Sequence, residues 1–543
     1  MSDAHNTNSS SIGIFVNQAG YRPEGPKKAV LPFSCEEYKI IDTDGRVRFS
    51  GMPSGFGFDK ASGDNVYIAD FSRFSDPGQY RIIANGTSSA LFSINDRVYE
   101  RVLDSTLKAF YYQRCGCALD RRYAGIWPHD ACHTEKARLW EDSDIEVDIT
   151  GGWHDAGDFG RYVTPGAVAA AHLLYAYKLF PGVLEGRRYG IPADGELPDA
   201  LAEVKYELEW LMKMQRADGA VYHKATSALH PPFVMPEKDK STIYLFPCSS
   251  MAAADLAAVC ALASGIYRPF DREFAYRLLV TAERSGEWLI GHPEFLGFTN
   301  PEECNTGLYG QHSDISNRFW AFTELYSVTG DKKYLDLINP SVNKDFSLTE
   351  LGHAETGGLG SLAYILCPQP KDKMTGIRLK SIFYGSAAAL KGLSEKSGYG
   401  TAVSPEHYYW GSNMQIMKNA MIFALNDVLN GDPRSRDCAA RQLDYLLGAN
   451  PLGISYVTGT GEYRCSHPHL RTAACDGVDE CIPGFVAGGP NRHPADTTAI
   501  KSIEHGTPPA KCYIDNEDCY SLNEVAIYWN SATVFVLAYL CGK

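Results

Sequence analysis

The chain has 543 residues, 44% of them hydrophobic, enough for at least one large core and, by length, for two to four domains. Its 65 acidic and 51 basic residues give a net charge of −14, and no Lys/Arg run interleaves with aromatics. That balance disfavours nucleic acid, anionic membranes and anionic polymers as partners. Aromatics reach 12%, with 32 Tyr and 8 Trp, more than a core requires, so part of them is expected to line a groove for flat, uncharged rings such as neutral sugars.

Residues 1–11, MSDAHNTNSSS, read as a disordered N-terminus without the basic and apolar regions of a signal peptide. No uninterrupted apolar run approaches the roughly 18 residues of a membrane span. As written the sequence reads as cytoplasmic, or as extracellular if a signal peptide has been removed. Fifteen scattered cysteines, among them Cys35 and Cys248, Cys260 and Cys541 inside apolar helical patterns, also indicate a reducing compartment.

Residues 12–95 carry short apolar runs, such as Ala29-Val30-Leu31 and Tyr80 to Ile83, separated by turn clusters like Asp42-Thr43-Asp44-Gly45. This pattern predicts a small β-sandwich. The Asp42 turn lacks the downstream acidic ligands of a calcium loop and reads as a hairpin. From residue 96 to 543 the apolar period becomes 3.6, predicting ten to twelve helices with almost no strand alternation. The chain is therefore mainly α, and unequal, loop-rich spacing favours a helical toroid over a solenoid. The Gly/Pro-rich stretches 221–247, 292–315, 398–412 and 450–520 are longer than ordinary connections, which marks them as functional surface.

Two constellations can do chemistry. GGWHDAGDFGRY, from Gly151, places Asp155 and Asp158 in a Gly-rich loop before a helix, a spacing that also fits an N-cap turn. Near the C-terminus, Tyr513, Asp515, Tyr520, Asn523 and Glu524 precede the apolar segment VAIYWNSATVFVLAYL. There Glu524 is either a first-turn residue favoured by the helix dipole or a carboxyl desolvated by Tyr528 and Trp529 and raised toward a general acid. One ionised and one protonated carboxyl are what glycosidic hydrolysis asks for. Cys115, Cys132, His133 and His154 are zinc-type ligands whose spacing is not that of a finger.

These segments resemble glycoside hydrolase family 9, the cellulase group with an N-terminal immunoglobulin-like domain. IFVNQAGYRPEGPKKAVL resembles its sandwich domain, GGWHDAGDFGRY its nucleophilic-water loop, and YYWGSN at Tyr408 a further family segment. LDYLLGANPLGISYVTGTG with HPHLR, and YIDNEDCYSLNEVAIYWNS, resemble its two active-site patterns. The resemblance implies an (α/α)6 barrel with an open aromatic-lined cleft, β-1,4-glucan as substrate and inversion at the anomeric carbon. It implies Asp158 as catalytic base, Asp155 as the carboxylate that helps hold the water, Glu524 as general acid and Asp515 as the further acidic position.

By the same resemblance His469 and Arg471 hydrogen-bond sugar hydroxyls and tune the carboxylates, with Tyr463 a departure from the pattern. Trp127, Trp153, Trp410 and Tyr408 are the candidate stacking residues. QRCG, ACH and GGWHDAG resemble the family's structural zinc site, implying Cys115, Cys132, His133 and His154 as ligands, with Cys117 an alternative to Cys115. Calcium is disfavoured, because Ser316 and Asn317 stand where the family has an acidic pair, leaving Asp314 alone. No organic cofactor is implied, and the expected state is a monomer or weak homo-oligomer. An exo-acting β-glucosidase or exo-β-glucosaminidase on imported oligosaccharides is the alternative, with the Cys465 to Cys481 insertion, acidic at Asp476, Asp479 and Glu480, closing one end of the cleft. A non-catalytic carbohydrate-binding protein is the second alternative.

Overall fold

The protein was analysed as a computed structural model that describes residues 13–193 and 195–542. The N-terminus expected to be disordered, residues 1–11, lies outside the described residues.

Twelve helices form two concentric rings. Those at Val163–Leu179, Ser250–Tyr267, Ile315–Thr329, Gly357–Leu366, Ser412–Asn430 and Ile527–Cys541 are buried on nearly every side. They are apolar all round and rich in Ala, Gly and Ser, which lets neighbouring backbones approach. Between them in chain order come Glu100–Tyr112, Asp199–Lys213, Arg272–Gly291, Lys332–Ser341, Lys373–Ser394 and Arg434–Leu446, which face solvent on one side. Inner and outer helices alternate strictly, and the ring closes where Ile527–Cys541 packs on Val163–Leu179. This is an (α/α)6 barrel. Helix starts are fixed by side-chain caps, with Ser249 accepting from Ala252 N–H and Asp271 from Phe274 N–H.

Helix Ser250–Tyr267, interrupted by Asp255, is long and on average apolar enough to cross a bilayer, and 89% of it is buried among its neighbours, as an inner-ring position demands. One sequence expectation changes. The barrel also carries a five-stranded sheet of short strands, Glu146–Val147, Ala137–Leu139, Tyr244–Leu245, Lys224–Thr226 and Arg161–Tyr162 in spatial order. Strands of two or three residues are too short for alternation to register. This sheet lies at the mouth of the barrel and its last strand directly follows Asp155 and Asp158.

The N-terminal domain is a sandwich of a six-stranded and a three-stranded sheet. In the strand Tyr38–Asp42, Tyr38 and Ile40 point into its core while Lys39 faces out. Its Phe15, Val30 and Val66 belong instead to the barrel's core cluster, so apolar burial joins the two domains. Gln18 adds polar links, donating to the carbonyls of Gly453 and Tyr463 and accepting from the N–H groups of Glu462 and Tyr463. Tyr463 is thus held by its backbone, with its ring 58% exposed.

Candidate active site

The loop Gly151 to Gly160 is tied down on every side. His154 N–H donates to Gln113 O at 2.7 Å, Gln113 Nε2 to Ala156 O at 2.8 Å, and Asp155 N–H to Gly160 O at 2.9 Å. Arg471 Nη1 reaches Gly157 O at 2.8 Å and its Nε reaches Pro231 O at 3.0 Å. A Cβ on Gly157 would stand 2.0 Å from His469 O, so only glycine allows this approach. Glu524 is brought opposite by an extended step: Glu524 pairs with His469, Val525 with Ala487 and Ala526 with Ala156. The helix begins only at Ile527, so the first-turn reading of Glu524 is corrected.

The three carboxyls sit in different electrostatic surroundings. Asp158 is buried, which pushes its pKa up, but His230 Nδ1 at 3.2 Å, with Arg471 and His154, outweighs burial and holds it below the usual carboxylate range. Asp155 is buried and lies near Asp158, and both effects raise it well above that range, although the Tyr309 hydroxyl donates to its Oδ2. Its Oδ1 has no protein partner among the described residues. Glu524 is raised strongly, first by desolvation and then by Asp158 and Asp155, against Arg471 and a hydrogen bond from Trp410. The arrangement therefore favours an ionised Asp158 and neutral Asp155 and Glu524 around a shared space.

Other expected residues are placed differently. Asp515 accepts from Ser466 N–H at 2.8 Å, His467 N–H at 3.0 Å, Asn523 Nδ2 at 3.1 Å and the Cys465 thiol at 3.3 Å. Despite burial, the His467 side chain, the N–H groups of Ser466 and His467 and the Asn523 amide hold its pKa down, and it anchors the segment that carries His469. Arg471 holds backbone carbonyls with Nε and Nη1 beside the Phe233 ring, and its charge lowers Asp158. His469 Nδ1–H donates to Glu517 O, and the ring packs edge-on to Phe233 and Tyr520.

Among the aromatics, Trp153 and Tyr408 are corrected as stacking faces, each being 1% exposed; the Trp153 indole donates to Glu203 Oε1 in the core. Trp410 is 44% exposed and lines a cavity of about 620 Å³ with Tyr409, Tyr528 and Trp529. Trp127 is half-buried and donates to Glu480 O, so it fastens the Cys465 to Cys481 insertion.

His230, Tyr309 and His353 were not singled out by sequence. The first two lie in the long stretches 221–247 and 292–315, where loop length was the available signal. Tyr309 has φ +44°, an uncommon conformation for a bulky residue and one that strained functional positions adopt. Its loop is clamped by buried Lys224, whose Nζ donates to Asn300 Oδ1, Thr306 Oγ1 and Gly307 O. Burial lowers that lysine to about 8. His353 packs edge-on to both Tyr309 and Tyr528, and burial pushes its pKa to about 3, so it is neutral.

Immediately behind the loop, one ligand atom each of Cys115, Cys132, His133 and His154 lie within 4.8 Å of one another. Cys115, rather than Cys117, joins this group. Against the upward push of burial, Cys132, Arg161 and the two histidines lower the Cys115 thiol, and His154 Nε2 is buried with no hydrogen-bond partner among the described residues. Asp239 lies 3.2 Å from His133 Nε2, as outer carboxylates do around ligating histidines. The donor set fits a tetrahedral zinc. The calcium position does not fit its ion: Asp314 pairs with Arg318 Nε at 2.7 Å, and Asn317 donates to Asp255.

Residues 99–537 match the family model for glycosyl hydrolase family 9, and residues 9–89 match that for the cellulase N-terminal ig-like domain. The chain belongs to glycosyl hydrolase family 9. It is a glycoside hydrolase. A cellodextrinase of Butyrivibrio fibrisolvens is 43% identical over 97% of this chain and 99% of its own length. A single-mutant thermostable endoglucanase from Alicyclobacillus acidocaldarius superposes with a TM-score of 0.92 at 36% identity, covering 98% of this chain and 99% of that one. A Zn-binding triple mutant of a family 9 endoglucanase has a TM-score of 0.90 at 33% identity, covering 96% of this chain and 99% of that one.

The His230 contact predicts a pH effect. Asp158 acts ionised and its pKa is held down, so removing the partner raises it and activity is lost at higher pH on the acid side. His230→Ala is expected to move the acid limb of kcat/KM to higher pH. A pH–rate profile with an unmoved acid limb would assign that limb to another group.

Proposed function

We propose that this enzyme is an inverting hydrolase of β-1,4-glucan and cello-oligosaccharides. Asp158 takes a proton from the attacking water, Asp155 Oδ1 hydrogen-bonds that water, and Glu524 protonates the departing glycosidic oxygen. The observation that carries this reading is the opposite bias of Asp158 and Glu524, one held ionised by His230 and the other held protonated by desolvation. A protein that only bound carbohydrate would have no need of that division.

The residues around the pair have defined tasks. Tyr309 orients Asp155 through its hydroxyl and His353 packs against Tyr309 and Tyr528 as a neutral wall. Arg471 acts at a distance, keeping the Asp158 loop against Gly157 O while its charge favours the ionised base. Trp410 offers an exposed face for a pyranose beside Glu524.

The loss of the acid should be felt most where the leaving group is poor. Glu524→Gln is expected to lower kcat on cellopentaose by about 10²–10⁴-fold with KM little changed, and to cost much less on dinitrophenyl cellobioside. Near-normal turnover of cellopentaose would remove Glu524 from the acid role.

We further infer that Cys115, Cys132, His133 and His154 hold a structural zinc that crosslinks the helix end at Gln113 to the catalytic loop. A closed site of two thiolates and two imidazoles supplies rigidity. Cys132→Ser is expected to lower both the zinc content of the purified protein and its unfolding temperature, while Cys117→Ser leaves both unchanged. Metal analysis with calorimetry checks this, and equal zinc in all three proteins would contradict it.

A further inference from the structure

The cavity that begins at Trp410 has a second chemical feature. Glu350 and Lys418, paired through Glu350 Oε1, line it together with Trp410, Tyr528 and Trp529. Their side chains are only 28% and 14% exposed, so neither is a free surface charge. Gly352 N–H donates to the same Oε1 at 3.1 Å. Among the described residues, Glu350 Oε2 and the remaining ammonium protons of Lys418 have no protein partner. The buried Gln311 Oε1 on the same wall is also unpartnered.

A partly buried ion pair contributes little to stability, because desolvation offsets most of its attraction. Facing a cavity, the same pair offers a ligand a strong acceptor and a strong donor side by side with no net charge. Two adjacent ring hydroxyls, each a donor and an acceptor, match that presentation; a free anion or cation does not. The exposed face of Trp410 supplies the apolar platform that a pyranose needs on its axial C–H side. The volume, about 620 Å³, is that of a small-molecule site.

Neither Glu350 nor Lys418 is among the charges that chiefly shift Asp155, Asp158 or Glu524, while the Lys418 charge acts on His353, so the pair lies off the reacting carboxyls. Lys418 lies six residues into the helix that starts at Ser412, just after Trp410, hence about 9 Å along its axis at 1.5 Å per residue. That is further than one pyranose ring. Trp410 touches Glu524, so the pair reads a glucosyl unit beyond the one at the scissile bond.

We propose that Glu350 and Lys418 form a specificity-determining subsite that grips the vicinal hydroxyls of a glucosyl residue one or more units from the bond cleaved, and so selects soluble cello-oligosaccharides long enough to reach it. This rests on the β-1,4-glucan reading above. The subsite contributes binding that the substrate keeps in both ground and transition states, so its loss is read in KM and not in kcat.

The test uses the full chain with Lys418→Met and with Glu350→Gln, and cellopentaose as the probe. Each variant is expected to raise KM at least ten-fold while kcat stays within two-fold at a temperature where the variant is fully folded, and Lys418→Arg should recover part of the loss. In protein carrying Glu524→Gln, calorimetric titration should show cellopentaose binding weakened at least ten-fold by Lys418→Met. Unchanged KM and Kd, or a fall in kcat at constant KM, would overturn the subsite. Binding that depends on Lys418 in an unsubstituted protein that cleaves no β-glucan would sustain the subsite and overturn the hydrolase reading.

Discussion

Everything at the catalytic centre depends on holding buried carboxyls of unlike charge close together without letting them exchange roles. In a site of low polarity, like charges repel strongly, so both Asp155 and Glu524 are driven toward their neutral forms once Asp158 is ionised. What keeps the single negative charge on Asp158 is the hydrogen bond from His230 together with the Arg471 charge. That division survives only if the backbone cannot drift. The Arg471 link to Gly157 O, the Gln113 link to Ala156 O and the pairing of Ala156 with Ala526 fix it from three directions. Hydrogen bonds from a charged donor contribute about 1.5–3 kcal/mol each, enough to restrain a glycine-rich loop that has little intrinsic order.

The two-ring barrel explains why such a loop can be held at all. Six inner helices buried on almost every side form a rigid wall, and their mouths present the loops that carry Asp158, Tyr309, Trp410, His469 and Glu524. The N-terminal sandwich extends that wall. Through Gln18 it grips the backbone at Glu462 and Tyr463, one step before the Cys465 and Asp515 network that positions His469. Its contribution to the site is thus indirect but continuous in covalent and hydrogen-bonded contact. Behind the loop, the Cys/His cluster closes the remaining side.

Much of this was legible from the sequence because the signals were long or specific. The change from short apolar runs to a 3.6 period near residue 96 separated sandwich from barrel, and the Gly-rich run at Gly151 and the Glu524 segment marked the carboxyls. The five short strands left no periodic trace, and a single His in a Pro-rich loop or a Tyr in a long connection has no pattern of its own. His230 and Tyr309 become functional only through contacts with residues 72 and 154 positions away. The misread aromatics have the same origin. Trp153 and Tyr408 sit within motif segments, yet neighbours that touch them, Glu203 beside Trp153 and Tyr445 beside Tyr408, belong to other helices of the ring.

The central claim is that Asp158 activates water on the face of the sugar opposite Glu524. Proton NMR of cellopentaose cleavage, followed within the first turnovers before mutarotation equilibrates the ends, tests it most directly. The account predicts that each new reducing end is born as the α-anomer, whatever the lengths of the products. Newborn β-anomers would mean that a protein group and not water attacks first, and would contradict the roles given to Asp158 and Asp155.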